Sequence, residues 1–143
     1  MKPAKFEEDF IKSLIKQGEG EKLDFKQKIT SKEKIAKTLA GLANTEGGYI
    51  LIGISDKKKI VGIDPEEERY MIESANEDFC IPNVSLEIDE IKIFDENTSE
   101  QAKEEKSLLL VEIKKAIGQQ ILCKSKDGLL KSYKRFDDKI LAV

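Results

Sequence analysis

The run Tyr49-Ile50-Leu51-Ile52-Gly53-Ile54, preceded by Gly47-Gly48, constrains this chain more than any other stretch. A strand with one wet face alternates apolar and polar residues, whereas this run is apolar almost throughout. It therefore reads as a central strand covered on both sides, and helices are the usual covers. With 143 residues, the chain is large enough for one such core and too short for two.

The flanking sequence supplies the covers. Phe6, Phe10, Ile11, Leu14 and Ile15 recur at helical spacing and predict a short amphipathic helix. Gly18 and Gly20 end it, because glycine adopts the left-handed conformation of a helix terminus at low cost. Residues 22–26 then alternate, with Leu23 and Phe25 on one side and Lys22, Asp24 and Lys26 on the other. That is the pattern of a half-buried strand. Thr30 with Glu33 predicts a capping box, and Ile35, Leu39, Leu42 and Ala43 continue a helix that ends near Asn44. Beyond the apolar run, 55–59 reads as a polar turn and 60–63 as a hairpin partner. Asp64-Pro65-Glu66-Glu67 opens another helix, to about Asn76, with Asp as cap, Pro in the first turn and acids at the positive dipole end. Val84, Leu86 and Ile88 begin a strand that extends toward Ile93, and 108–113 is a further apolar strand. Between them, 95–106 is acid-rich and predicts a mobile connection. Residues 121–124 and 129–136 form a hairpin around Lys126-Asp127-Gly128. The expected fold is a single α/β (α+β) domain over 1–143, its core at about 6–137, with one mixed β-sheet covered by about three helices.

Several function classes fall away. The sequence has no histidine, so Ser-His-Asp triads, Cys-His nucleophile pairs and His-bound zinc are excluded. Neither GxxxxGK[ST] nor GxGxxG occurs, which leaves nucleotide binding of those types unsupported. No apolar run approaches the length of a membrane span, and the first residues lack the apolar stretch of a signal peptide. Cys80 and Cys123 have no metal-type spacing and read as reduced, buried thiols, so a cytoplasmic location is expected.

The net charge of −3 conceals an asymmetry. Residues 1–63 sum to +4, residues 64–112 to −12 and residues 113–143 to +5. Two basic ends around an acidic centre predict one cationic face, although evenly solvated Lys and Glu would give the same totals.

Three groups of residues have chemical potential. Glu19, Asp24 and Asp56 lie at strand edges, where sequence-distant carboxylates can converge on Mg²⁺ or Mn²⁺ and activate water against a phosphodiester. Paired or solvated acids are the plainer alternative. Asn44, Gly47 and Gly48 form a turn whose backbone amides can face a phosphate, or else a compact connection between helix and strand. On the strand around 131–136, alternation puts Tyr133 and Arg135 on one side and Ser132 and Lys134 on the other. Tyr stacks on bases and Arg or Lys hold phosphates, while lysine also protects an edge strand from pairing.

A resemblance joins these pieces. The sets Gly18-Glu19-Gly20-Glu21-Lys22-Leu23-Asp24-Phe25-Lys26, Ala43-Asn44-Thr45-Glu46-Gly47-Gly48 with the apolar run through Asp56, and Ile60-Val61-Gly62-Ile63 resemble the Alba-like domain of Schlafen proteins. The Tyr133-Lys134-Arg135 strand is similar to that family's late Tyr-x-Arg strand. The same domain occurs in bacterial proteins described as DNA-binding or divergent ATPase-like regulators. The resemblance implies an α/β domain associated with nucleic acid. In RNA-cleaving members, two acids around the first strand and one after the central strand form a metal-dependent nuclease centre, which maps to Glu19, Asp24 and Asp56. Asp24 stands where the family usually has Glu, and the chain holds one lobe where eukaryotic cores pair two. A homodimer would supply the second lobe.

The leading expectation is thus a DNA- or RNA-binding domain, such as that of a transcriptional regulator, in which Lys22, Lys26, Lys28, Lys134 and Arg135 contact phosphates and Tyr133 stacks. One alternative is a Mg²⁺- or Mn²⁺-dependent endoribonuclease using the three acids. Another is a non-catalytic module whose acidic 64–112 segment meets a basic protein.

Overall fold

The computed structural model describes residues 4–94 and 104–143, with side chains from residue 7 onward in the first helix. Its elements are α1 (Ala4–Gln17), β1 (Leu23–Lys26), α2 (Lys32–Ala43), β2 (Gly48–Ile52), α3 (Pro65–Phe79), β3 (Cys80–Ile81), β4 (Leu86–Phe94), β5 (Glu105–Ile113), β6 (Leu122–Lys124), β7 (Leu130–Phe136) and β8 (Lys139–Ala142).

The apolar run sits at the centre of a four-stranded mixed sheet of order β1-β2-β5-β4, in which β1 and β2 are parallel and the other pairs antiparallel. Ile50 and Ile52 of β2, with Leu109, Val111 and Ile113 of β5, join a core shared with α2 and α3. Leu51 and Ile54, with Leu108 and Leu110, join a second core beneath Ile11 and Leu14 of α1. Both faces are covered, which is why neither strand alternates with polar residues.

The remaining strands form a second sheet, β3-β6-β7-β8, wholly antiparallel. Cys80, Cys123 and Tyr133 on its inner face enter the same core as α2. The helix therefore lies between two sheets, and its small residues are a consequence. A Cβ at Gly41 would stand 2.6 Å from Ile140 Cδ1 of β8. The α+β class is as expected, but the strands divide between two sheets.

Local signals set the helix ends. Gly18, at φ 81°, donates its N–H to Leu14 O (3.1 Å) and closes α1. Asp64 caps α3 by accepting the Glu66 and Glu67 N–H groups, with Pro65 in the first turn. The cap of α2 is Ser31, one residue later than the expected Thr30: Ser31 is extended and its hydroxyl accepts the Lys34 N–H. Residues 60–63 form no strand, only an isolated Ile54–Ile60 bridge. Gly53, at φ 114°, turns the chain aside, and Ile63 N–H goes to Ser107 O instead. The connection expected over 95–106 falls mostly outside the described residues, and β5 already begins at Glu105.

Candidate functional site

The two basic ends of the sequence do meet, but through a buried ion pair. Arg135 of β7 is only 3 % exposed. Its Nη2 donates to Asp24 Oδ1 (3.0 Å) and Leu23 O (3.1 Å), and its Nε donates to Gly20 O and Asp137 O (both 3.0 Å). The other Asp24 oxygen, Oδ2, lies 3.2 Å from Lys26 Nζ, an ionic contact without the direction of a hydrogen bond. Glu19 completes the group. Its Oε2 accepts the Phe25 N–H at 3.2 Å, and its carboxyl lies close to that of Asp24. Burial foremost, then the neighbouring Asp24 carboxyl, pushes the Glu19 pKa upward against the opposing pull of the Phe25 N–H and Arg135.

This geometry changes the reading of the three acids. Glu19 and Asp24 are brought together, but Asp56 is exposed on the turn after Ser55. That turn leans toward Gly18, where Lys58 Nζ would lie 3.1 Å from an added Cβ. Among the described residues no three acids or thiols gather as metal ligands. Mg²⁺ and Mn²⁺ need several oxygens free to coordinate, whereas Arg135 and Lys26 already face both Asp24 oxygens. These residues do not fit a divalent ion held by Glu19, Asp24 and Asp56.

Two expected nucleic-acid contacts are also withdrawn from the surface. Arg135 is committed to Asp24, and Tyr133 is 9 % exposed with Lys37 Nζ 5.5 Å from its ring centroid. The reason is the face of the strand: alternation separates Tyr133 and Arg135 from Lys134 correctly, and the Tyr-Arg side is the one turned inward. Lys22, Lys28 and Lys134 are exposed and Lys26 is half-buried.

The glycine turn is a close-packed connection. Asn44 Nδ2 donates to Ile121 O (2.8 Å) and Tyr133 O (2.9 Å), and Asn44 Oδ1 accepts the Ile121 N–H (2.8 Å). A Cβ at Gly47 would meet Ile113 O at 2.6 Å, and one at Gly48 would meet Lys22 O at 2.2 Å. Backbone fills the space that a phosphate would need. Asn44, Gly47 and Gly48 fasten α2 and β2 to their neighbours.

Exposed Lys28 and Lys34 converge with half-buried Lys26 at another place. Lys26, Lys28 and Lys34 line one cleft with Thr30 and Ser31, over a floor of Ile29 and Ile35. The cleft opens at the first turn of α2, where backbone N–H groups and the positive dipole end add to the lysine field. Lys28 is 3.9 Å from Glu67 Oε1, but both side chains are more than half exposed, so the pair is weak. Glu68 of α3 anchors the floor: it is buried, and its Oε1 accepts the Ile29 N–H at 3.1 Å. Burial is the main cause that raises the Glu68 pKa.

The sequence model of the family described as Schlafen, AlbA_2 matches residues 19–143, nearly the whole chain. The chain belongs to that family. Among solved structures, the DIP2311 protein from Corynebacterium diphtheriae is similar at 17 % identity and a TM-score of 0.48, over 93 % of this chain. This chain spans only 25 % of that protein's chain. No curated protein matches it.

Within this Schlafen, AlbA_2 domain, Lys34 is the site residue that sequence reasoning missed. A signal was present: Lys26 and Lys28 lead directly into a Thr-Ser helix start, and Lys34 occupies the first turn of that helix. No helix among the described residues is long and apolar enough to cross a membrane.

Proposed function

We propose that this Schlafen, AlbA_2 domain binds nucleic acid, DNA or RNA, by holding backbone phosphates at the cleft of Lys26, Lys28 and Lys34. The observation that carries this reading is the convergence of the three lysines with Ser31, Thr30 and the first turn of α2 around one opening. Lys22, exposed on the approach to β1, adds to the same cationic end of the chain. Phosphate oxygens accept hydrogen bonds from lysine, hydroxyl and backbone N–H donors alike, and such contacts position a strand without reading its sequence. Family membership supports a role with nucleic acid.

The test is fluorescence anisotropy of labelled DNA and RNA oligonucleotides at low salt. Lys28→Ala with Lys34→Ala should weaken binding by about tenfold, because two phosphate contacts are lost. Both side chains are exposed, so the fold should survive the change. Absence of binding by the unaltered protein to either polymer would remove the reading.

A further inference from the structure

The second sheet has an inner face against α2 and an outer face that is largely exposed, with Gln120 Nε2 donating to the Ser132 hydroxyl on it. The outer face carries an unusual pairing. Its register sets Lys124 opposite Leu130, Lys134 opposite Leu141, and Lys139 opposite Phe136. Directly opposed residues in an antiparallel pair project to the same side with their Cβ atoms about 5 Å apart. Each pair therefore combines one cation with one apolar side chain.

Both members are accessible. Leu130, Phe136 and Leu141 are 51 %, 47 % and 49 % exposed, and the three lysines are exposed as well. None of these lysines makes an ion pair among the described residues. Large apolar groups gathered on one surface mark an interaction site rather than ordinary surface.

Charge selects the occupant. The outward positions of β6, β7 and β8 bear three lysines and no acid, and the acids of this sheet, Asp127, Asp137 and Asp138, lie in the turns at its two ends. A second copy of this chain docking on the same face would oppose like charges. A basic protein would be repelled in the same way. A polyanion that also offers flat apolar rings satisfies both halves of every pair, and a nucleic acid with unpaired bases is such a molecule. A duplex would present phosphates but keep its bases stacked within.

We propose that the outer face of β6-β7-β8 is a platform for single-stranded nucleic acid, on which Phe136 stacks a base while Lys134 and Lys139 hold the flanking phosphates. Leu130, Leu141 and Lys124 extend the surface along the strands. The proposal rests on the nucleic-acid reading above and names its substrate as single-stranded. It also reassigns the stacking role on β7 from the buried Tyr133 to Phe136.

Anisotropy with a labelled single-stranded oligonucleotide and with the same oligonucleotide annealed to its complement separates the two claims. Phe136→Ala should weaken single-strand binding by about tenfold or more and leave duplex binding unchanged, and Phe136→Trp should retain the single-strand affinity. Lys134→Glu with Lys139→Glu should also weaken the single strand. Phe136 is half exposed, so these variants should fold, and circular dichroism checks that they do. Unchanged single-strand affinity in both Phe136→Ala and the lysine variant would overturn the platform while leaving nucleic-acid binding intact. An equal loss for single strand and duplex in Phe136→Ala would overturn it too. No binding by the unaltered protein to either form would overturn both claims.

Discussion

Arg135 and Asp24 illustrate how one residue pair can serve the fold where a functional role was expected. Two ions removed from water lose their hydration, and the pair is tolerable only because Leu23 O, Gly20 O and Asp137 O take up guanidinium donors. Removing one partner leaves a buried charge without compensation. Asp24→Ala should therefore cost about 3–5 kcal/mol in urea denaturation, and Arg135→Ala a similar amount. The double variant should cost less than the sum, because the two residues share one interaction. A catalytic but structurally idle Asp24 would instead leave the midpoint where it is. Glu68 gives a pH signature. Its folded pKa is raised, chiefly by burial, so the folded state binds its proton more tightly than the unfolded chain does. The stability it contributes is complete below the unfolded value and is lost as pH rises through the folded one. Thermal melts from about pH 4 to 8 should show stability falling less with pH in Glu68→Gln than in the unaltered protein. Parallel curves would show that Glu68 does not titrate across this range.

At the level of elements, close backbone approach decides which glycines matter. Gly48 has φ +140°, and a Cβ there would stand 2.2 Å from Lys22 O, so β1 and β2 could not pair as they do. Gly48→Ala should cost at least about 3 kcal/mol, at the large end for a single substitution, while Gly20→Ala, facing open space, should change stability by less than about 0.5 kcal/mol. Asn44→Ala breaks three hydrogen bonds joining the end of α2 to Ile121 and to Tyr133 of β7 and should cost about 2–3 kcal/mol. Chemical denaturation measures all three. The same elements explain what was legible in the sequence. Periodicity located α1, α2, α3 and most strands, because burial on a helix or strand repeats locally. Alternation also divided β7 into a Tyr133-Arg135 side and a Lys134 side. It carried no information about which side faces inward, since that depends on α2 and on Asp24, 111 residues away in the chain. Alternation likewise puts Asp24 on the polar side of β1 without showing that β7 covers that side. Two sheets in place of one reflect the same limit, because strand partners are chosen by tertiary contacts.

For the whole molecule, the acidic centre and basic ends of the sequence resolve into distinct elements. The acids of 64–112 lie largely on α3 and β4, including Glu66, Glu67, Glu87, Asp89 and Glu90. Accessible cations gather at the β1–α2 cleft and on the outer face of the second sheet, and others lie on the 55–59 turn and after β5. A net charge of −3 therefore coexists with local cationic surfaces, and local field governs encounter with a polyanion. The central claim is that these lysines neutralise phosphates, and a salt series of single-strand affinity tests it most directly. The account predicts that log K falls linearly with log salt, with a slope of at least about −2 from three lysines, and that Lys28→Ala with Lys34→Ala makes the slope shallower by about 1.4. Affinity independent of salt, or an identical slope in the variant, would contradict it.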